Sequence, residues 1–450
     1  MKNPIHRTWR SSALLILPAL VLTANPFLHA QSFDRAKLDS LFQRIGQNDK
    51  AMGSFAFLRD GQEVYKKAWG FADVEKQIPA SPETRYRIGS ITKTFTAVII
   101  FQLIGEGKLT PDTPLARFFP RLPNADRILI SHLLRHQSGL FNFTNDPTYP
   151  AWMEKPHSRE EMLDAFVRNE TVFEPGVRTE YSNTNYVLLG WIAEDLDQMP
   201  YRDILKKRIT DPLELKSTYY GGKIDPDDGE ALSYTRSARW ELAAETDMSV
   251  PGGAGAILST PSDLCRFFYQ LFSGALLSGT SLASMQEVQG NLGAGLFPIP
   301  FYERIAFGHN GGIDGFQSSA AYFPSDRISI ALTTNGMNMS MNDILIGALS
   351  ILFGRDYALP EFGPALALRP EDLTPYLGVY SSPQLPLKLT IAAIGSQLTG
   401  QGTGQPSFPL EPFEKDKFRF GQAGIAIEFH PDENSLILQQ GGQTYEMIRE

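Results

Sequence analysis

Apolar residues recur along this chain with two different periods, and each period predicts a kind of element. Leu38, Leu41, Phe42 and Ile45 fall at three- and four-residue steps and predict a helix over residues 34–45. Two short runs at 54–58 and 63–69 are strand-like, and Asp60-Gly61 between them predicts a tight hairpin. Phe95, Val98, Ile99 and Leu103 return to helical steps, so 91–106 is expected to form a largely buried helix closed by Gly107. Residues 183–196 and 341–353 read as further helices, and 327–334 as a strand with Ile328, Ile330 and Leu332 on one face. The Pro- and Gly-rich segments between these elements are of the kind that shapes a cleft.

Residues 358–370 carry Pro360, Pro364 and Pro370 and no strong period, the composition of a linker. Beyond them, short runs at 376–380, 387–391, 418–420, 425–429 and 436–439 predict a small all-β domain over 371–450. The large domain is then expected over 31–357. The first thirty residues stand apart. They open with Lys2, Arg7 and Arg10, turn apolar over 13–24 and reach Leu28-His29-Ala30, the pattern of a cleaved signal peptide. Their apolar run is shorter than the roughly 20 residues that span a bilayer, so no stable membrane insertion is expected after cleavage. A periplasmic or secreted protein is the consequence.

Composition narrows the function classes. With 42% hydrophobic and 20% charged positions in 450 residues, the chain can bury an ordinary core, and disorder is excluded for most of it. Its 41 Lys and Arg against 50 Asp and Glu give a net charge of −9, and loss of residues 1–30 takes this to −12. Nothing there neutralises phosphates, so no nucleic-acid partner is expected. Cys265 is the only cysteine, which rules out an intramolecular disulfide, and its helical setting Leu264-Cys265-Arg266-Phe267-Phe268 predicts a small buried hydrophobe.

Several motifs fail on spacing. Ser138 has His136 and Leu140 where a nucleophile elbow has glycines. Gly253-Ala254-Gly255 and Gly402-Thr403-Gly404 lack the third glycine of a dinucleotide loop. His132 and His136 stand four apart on an expected helix, but Leu133 occupies the place of a zinc protease's general-base Glu, so the pair reads as structural.

What survives is a constellation. Ser90-Ile91-Thr92-Lys93 opens the helix expected over 91–106, and the three-residue spacing puts both side chains on one face, where an ammonium lowers the cost of deprotonating the hydroxyl. Tyr181-Ser182-Asn183 stands ahead of another helix, and Tyr181 could act as a base if a cation such as Lys93 favoured its phenolate. His309-Asn310-Gly311-Gly312 precedes an apolar stretch, and its paired glycines would let a substrate approach the backbone.

Together and in this order, these pieces resemble the serine β-lactamase and penicillin-binding superfamily, in its class C-like branch. Ser90 and Lys93 match its S-x-x-K element, Tyr181 and Asn183 its Y-x-N element, and His309-Asn310-Gly311 its third, usually K-T-G. The resemblance implies an α/β fold, a sheet flanked by helices with a helical lobe, here joined to the small C-terminal all-β domain. It implies Ser90 as the acylated nucleophile, Lys93 and Tyr181 as proton shuttles, Asn183 as an orienting group, and the backbone N–H groups of Ser90 and Gly312 as the oxyanion hole. It implies no metal and no organic cofactor. His309 departs from the usual lysine and withholds a permanent cation from a substrate carboxylate. With the β domain, that departure is similar to D-aminopeptidase and esterase members, some with a lipocalin-like C-terminal domain. The expected partner is a small-molecule or peptide substrate. Three activities stay open: hydrolysis of small peptides, including ones with D-residues; a carboxylesterase; and a non-catalytic receptor for cell-wall fragments or β-lactams.

Overall fold

The structure is a computed structural model that describes Met1 and residues 33–450, apart from 238, 291, 363–367, 386, 396, 406, 421–422 and 441–442. The signal peptide expected over 1–30, Met1 aside, and part of the expected linker lie outside the described residues.

The large domain is built on one antiparallel run of six strands. In spatial order these are Phe297–Phe301, Arg304–Ile313, Phe316–Phe323, Ile328–Met337, Ala51–Arg59 and Gln62–Trp69, and a short hairpin, Tyr234–Arg236 with Trp240–Leu242, joins at the Ile328–Met337 strand. The Asp60-Gly61 hairpin forms as a two-residue turn, with φ of +52° and +77° at those residues and Arg59 paired to Gln62. Ile328, Ile330 and Leu332 do share one face, where they pack with Leu38, Phe42 and Ile45 of the Arg35–Gln47 helix and Ile344 and Ala348 of the Met341–Leu352 helix. The opposite face is buried as well, and the strand runs on to Met337, because Ala331 and Ala320 meet the Thr92–Gly105 and Pro261–Phe272 helices. Phe95 and Phe267 stack at 3.7 Å in that layer, and Cys265 sits beside them fully buried, its thiol pushed up by desolvation.

The Thr92–Gly105 helix is enclosed on nearly every side, and two of its threonines are satisfied by neighbouring segments. Thr94 donates to the Gly295 carbonyl at 2.7 Å and Thr96 to the Gly253 carbonyl at 2.6 Å, so the helix that starts at the nucleophile also pins two segments around it. His309 to Gly312 lie near the end of the Arg304–Ile313 strand, and the apolar stretch expected after them forms the Phe316–Phe323 strand. One expectation needs correction. The helix under His132 is only Ile130–Leu134, and His136 lies beyond it at φ +56°, so the two histidines do not share a helical face.

The C-terminal domain is a closed eight-stranded barrel running from Gly378–Ser381 to Gln443–Arg449, with its first and last strands paired. Tyr376 ends a 3-10 turn over Pro370–Tyr376 instead of opening a strand, and packs against Phe418 and Phe429 inside the barrel. The strands Gln397–Gly402, Phe408–Glu414 and Gln443–Arg449 lacked a strong enough apolar signal to be read from sequence. Glu411 of the barrel meets Lys50 at 2.9 Å and also accepts from Asn338, at the end of the sheet.

Candidate active site

The chain brings Ser90, Lys93, Tyr181, Asn183, His309, Gly311 and Gly312 together around one cleft. Its volume is about 350 Å³, and its walls include Ser90, Phe143, Tyr149, Asn183, Thr246 and Gly312. Among the described residues, none that lines it comes from the barrel.

Ser90 sits in a single 3-10 turn, Gly89–Ile91, that feeds straight into the Thr92–Gly105 helix. Gly89 holds φ +50°, and a Cβ there would lie 2.8 Å from the Gly312 nitrogen. At Gly311 the close approach is made by the chain itself rather than left for a substrate, since a Cβ would lie 2.0 Å from the Ile88 carbonyl oxygen. The two glycines therefore allow the nucleophile turn to dock directly on the sheet.

Lys93 is fully buried. Its Nζ lies 2.7 Å from Asn183 Oδ1, 2.8 Å from the Ala254 carbonyl and 3.0 Å from Ser90 Oγ. Desolvation holds its pKa well below the ordinary lysine value. Nζ donates to Asn183 Oδ1 and the Ala254 carbonyl and is in direct hydrogen-bond contact with Ser90 Oγ, and burial favours its uncharged form beside the nucleophile. Burial therefore works against the lysine cation that the sequence led one to expect. Tyr181 follows the same logic: burial raises its phenol well above 10, against a smaller downward pull from its hydrogen bond with Ser90, so it is protonated at neutral pH. Lys93 Nζ stands 4.9 Å from the centre of its ring.

Asn183 is held by its own backbone N–H donating to Asn142 Oδ1 at 2.9 Å and by its Nδ2 donating to Thr144 Oγ1 at 3.1 Å. That fixes its Oδ1 toward Lys93. His309 is buried against Phe297, ring centres 4.1 Å apart, and its Nδ1 contacts the Asn310 carbonyl while Nε2 has no partner. Burial is the main cause that pushes it down to about 3, so it is neutral.

Sequence reading passed over His136. Its ring stacks on Tyr181 at 4.4 Å and its Nδ1 accepts from the Ser182 N–H at 3.1 Å, so it orders the Tyr-x-Asn segment. Its four-residue spacing from His132 drew attention to the wrong partner. Ala254 was missed too, because a backbone carbonyl leaves no trace in residue type.

A three-layered helix, sheet and helix body with this cleft at the start of its buried helix places the chain in the β-lactamase and penicillin-binding superfamily. The beta-lactamase family model matches residues 38–349, well over half of the chain, and the chain belongs to that family. Penicillin-binding protein 4* of Bacillus subtilis (strain 168) is 27% identical, over 92% of this chain and 98% of its own. Among solved structures, the D-amino acid amidase from Ochrobactrum anthropi SV3 in complex with L-phenylalanine amide superposes with a TM-score of 0.62 at 27% identity, covering 71% of this chain and 98% of that one. The octameric penicillin-binding protein homologue from Pyrococcus abyssi gives 0.65 at 25% identity, over 92% of this chain and 100% of its own.

Proposed function

We propose that this protein is an exported serine hydrolase that cleaves small peptides and amides, including those with D-residues, through an acyl-enzyme on Ser90. The observation that carries this reading is the desolvated Lys93 Nζ, held by Asn183 Oδ1 and the Ala254 carbonyl with Ser90 Oγ at 3.0 Å. Ser90 Oγ attacks the substrate carbonyl as its proton passes to Lys93 Nζ. The backbone N–H groups of Ser90 and Gly312 hold the oxyanion. The proton then reaches the leaving amine through Tyr181, the C–N bond breaks, and an ester remains on Ser90. Water attacks that ester, gives its proton to the same relay and frees the acid and the serine.

Charge favours substrates that lack a carboxylate near the scissile bond. His309 is neutral, and among the described residues the cleft lining holds no Lys or Arg. The same observation supports a carboxylesterase reading, since an ester needs no cation either. The likeness to a D-amino acid amidase weights the proposal toward amides.

Intact-protein mass spectrometry tests both readings, using the mature protein and Ser90→Ala with an activated ester, its matching amide, a D-alanyl peptide and a penicillin. A transient adduct absent from Ser90→Ala, with amide turnover, is the expected result. Turnover of the ester alone assigns the esterase. A stable adduct without release assigns a receptor, and no adduct with any probe overturns the reading.

A further inference from the structure

Two buried charges flank the proposed oxyanion hole, and the mechanism above uses neither. Arg87 stands three residues before Ser90, and Asp314 two residues after Gly312. Each side chain is 1% exposed, and they pair at 2.8 Å. Arg87 also donates to the Thr246 carbonyl at 2.8 Å, to the Gly222 carbonyl at 2.9 Å and to Glu245 at 2.8 Å. The second oxygen of Asp314 accepts from the Thr246 N–H at 3.1 Å and its hydroxyl at 2.6 Å. Asp314 itself stands at φ +52° in the bend that follows the Arg304–Ile313 strand.

A buried ion pair is weak as a source of stability, because desolvation offsets its attraction. Its place in the fold is what singles it out. Arg87 lies in the Tyr86–Arg87 strand that leads into the nucleophile turn, and Asp314 lies in the bend just past Gly312. Between them the two backbones touch without side chains: a Cβ on Gly89 would lie 2.8 Å from the Gly312 nitrogen, and one on Gly311 2.0 Å from the Ile88 oxygen. Ser318 Oγ adds one hydrogen bond to that Ile88 oxygen at 2.9 Å. The spacing between the Ser90 and Gly312 N–H groups is therefore set by bare backbone contact and by the pair that brackets it.

We propose that Arg87 and Asp314 are positioning residues: their ion pair clamps the backbone N–H groups of Ser90 and Gly312 at the spacing a tetrahedral oxyanion requires. They act through these two amides. The inference rests on the acyl-transfer reading and names what tunes it. Preorganised donors count only when charge develops on the carbonyl oxygen, so loosening them lowers transition-state binding and leaves ground-state binding in place.

The test uses Asp314→Asn, which keeps shape and removes charge, and the double variant Arg87→Gln/Asp314→Asn, which removes both members of the pair and leaves only the partly exposed Glu245 carboxylate without its arginine. An activated ester gives kcat and KM, and an arylboronic acid, which forms a tetrahedral adduct on a serine, gives an inhibition constant. We expect kcat to fall about 30- to 300-fold, KM to stay within about threefold, and boronate affinity to weaken in step with kcat. Thr246→Val, which removes one hydrogen bond to Asp314, serves if the others do not fold, with an expected loss in kcat of about 3- to 10-fold. Folded variants with unchanged kcat and boronate affinity, or with the loss entirely in KM, overturn the inference alone. No Ser90-dependent boronate adduct on the unaltered protein overturns the acyl-transfer reading and this inference with it.

Discussion

The cleft and the barrel bury opposite kinds of residue. Around Ser90 the chain encloses Lys93, His136, His309, Arg87 and a series of threonines, each needing a partner or a shifted pKa. In the barrel, the fully buried positions are Leu, Ile, Phe, Tyr and Met, with Ser382 and Ser435 the only buried polar residues among those described. One region spends burial on tuning chemistry, whereas the other spends it on cohesion. Substitutions should separate cleanly along that line: in the cleft they should change turnover at preserved fold, and in the barrel they should change folding at preserved turnover.

The largest effect is expected at Lys93. Lys93→Met keeps much of the side-chain volume and removes the base, so turnover should fall by about 10³-fold while the far-ultraviolet circular dichroism and a cooperative melt remain. A loss of fold instead would mean that Lys93 belongs with the cohesive residues. Leu436, with no exposed surface, is the mirror case. Leu436→Ala should cost about 2 to 5 kcal/mol of barrel stability in denaturant unfolding, with kcat per folded molecule unchanged. A fall in kcat at temperatures where the barrel is intact would break the separation.

A smaller effect distinguishes the regions by pH. His309 is faced by Phe297, Tyr181, Lys93, the more distant His136 and the Asn310 backbone, and none of these favours its charged form strongly enough to offset burial. Folded, it stays neutral down to about pH 3, whereas the unfolded chain protonates it near 6.5. Between those values the unfolded chain holds more protons, so the stability from neutral His309 is complete above 6.5 and drains away as the pH falls toward 3. The large domain should lose on the order of 2 kcal/mol over that window, with relaxation holding the loss below the full shift. Melting curves of the unaltered protein and of His309→Gln, recorded from pH 7 to 4, check this. Equal slopes for the two would remove His309 from the account.

The same contrast governs how much was legible in the sequence. Ser90, Lys93, Tyr181 and Asn183 could be found because their spacing is local and their residue types are chemically distinctive. The buried helix, the first hairpin and the Ile328–Met337 strand were readable from period alone. The pKa shifts were not: the downward shift of Lys93 and its two carbonyl partners come from burial that only tertiary packing supplies. His136, Ala254, Arg87 and Asp314 were invisible for a related reason, since each acts through a partner more than 40 positions away or through backbone atoms. In the barrel the failure ran the other way. Gln397–Gly402 and Gln443–Arg449 are strands because their neighbours complete a closed ladder, although their own residues include glycine and several polar side chains with little strand preference.

The smallest expected effect lies where the two regions meet. Glu411 uses one oxygen on Lys50 and the other on Asn338, and Lys50 also stands 5.7 Å from the Phe362 ring centre, so this carboxylate ties the barrel to the start of one sheet strand and the end of another. Both charges keep some contact with water, at 14% and 28% exposure, which limits the pair to about 1 kcal/mol. Glu411→Ala should therefore lower the melting transition slightly, less so at high salt, and leave kcat and KM alone because no described barrel residue lines the cleft. Asn338 directly follows the Ile328–Met337 strand, which pairs with Phe316–Phe323 and, through it, with the strand bearing His309 and Gly312. A change in kcat with Glu411→Ala would show that this ladder carries strain from the barrel to the oxyanion hole, and the two regions would then have to be treated as one mechanical unit.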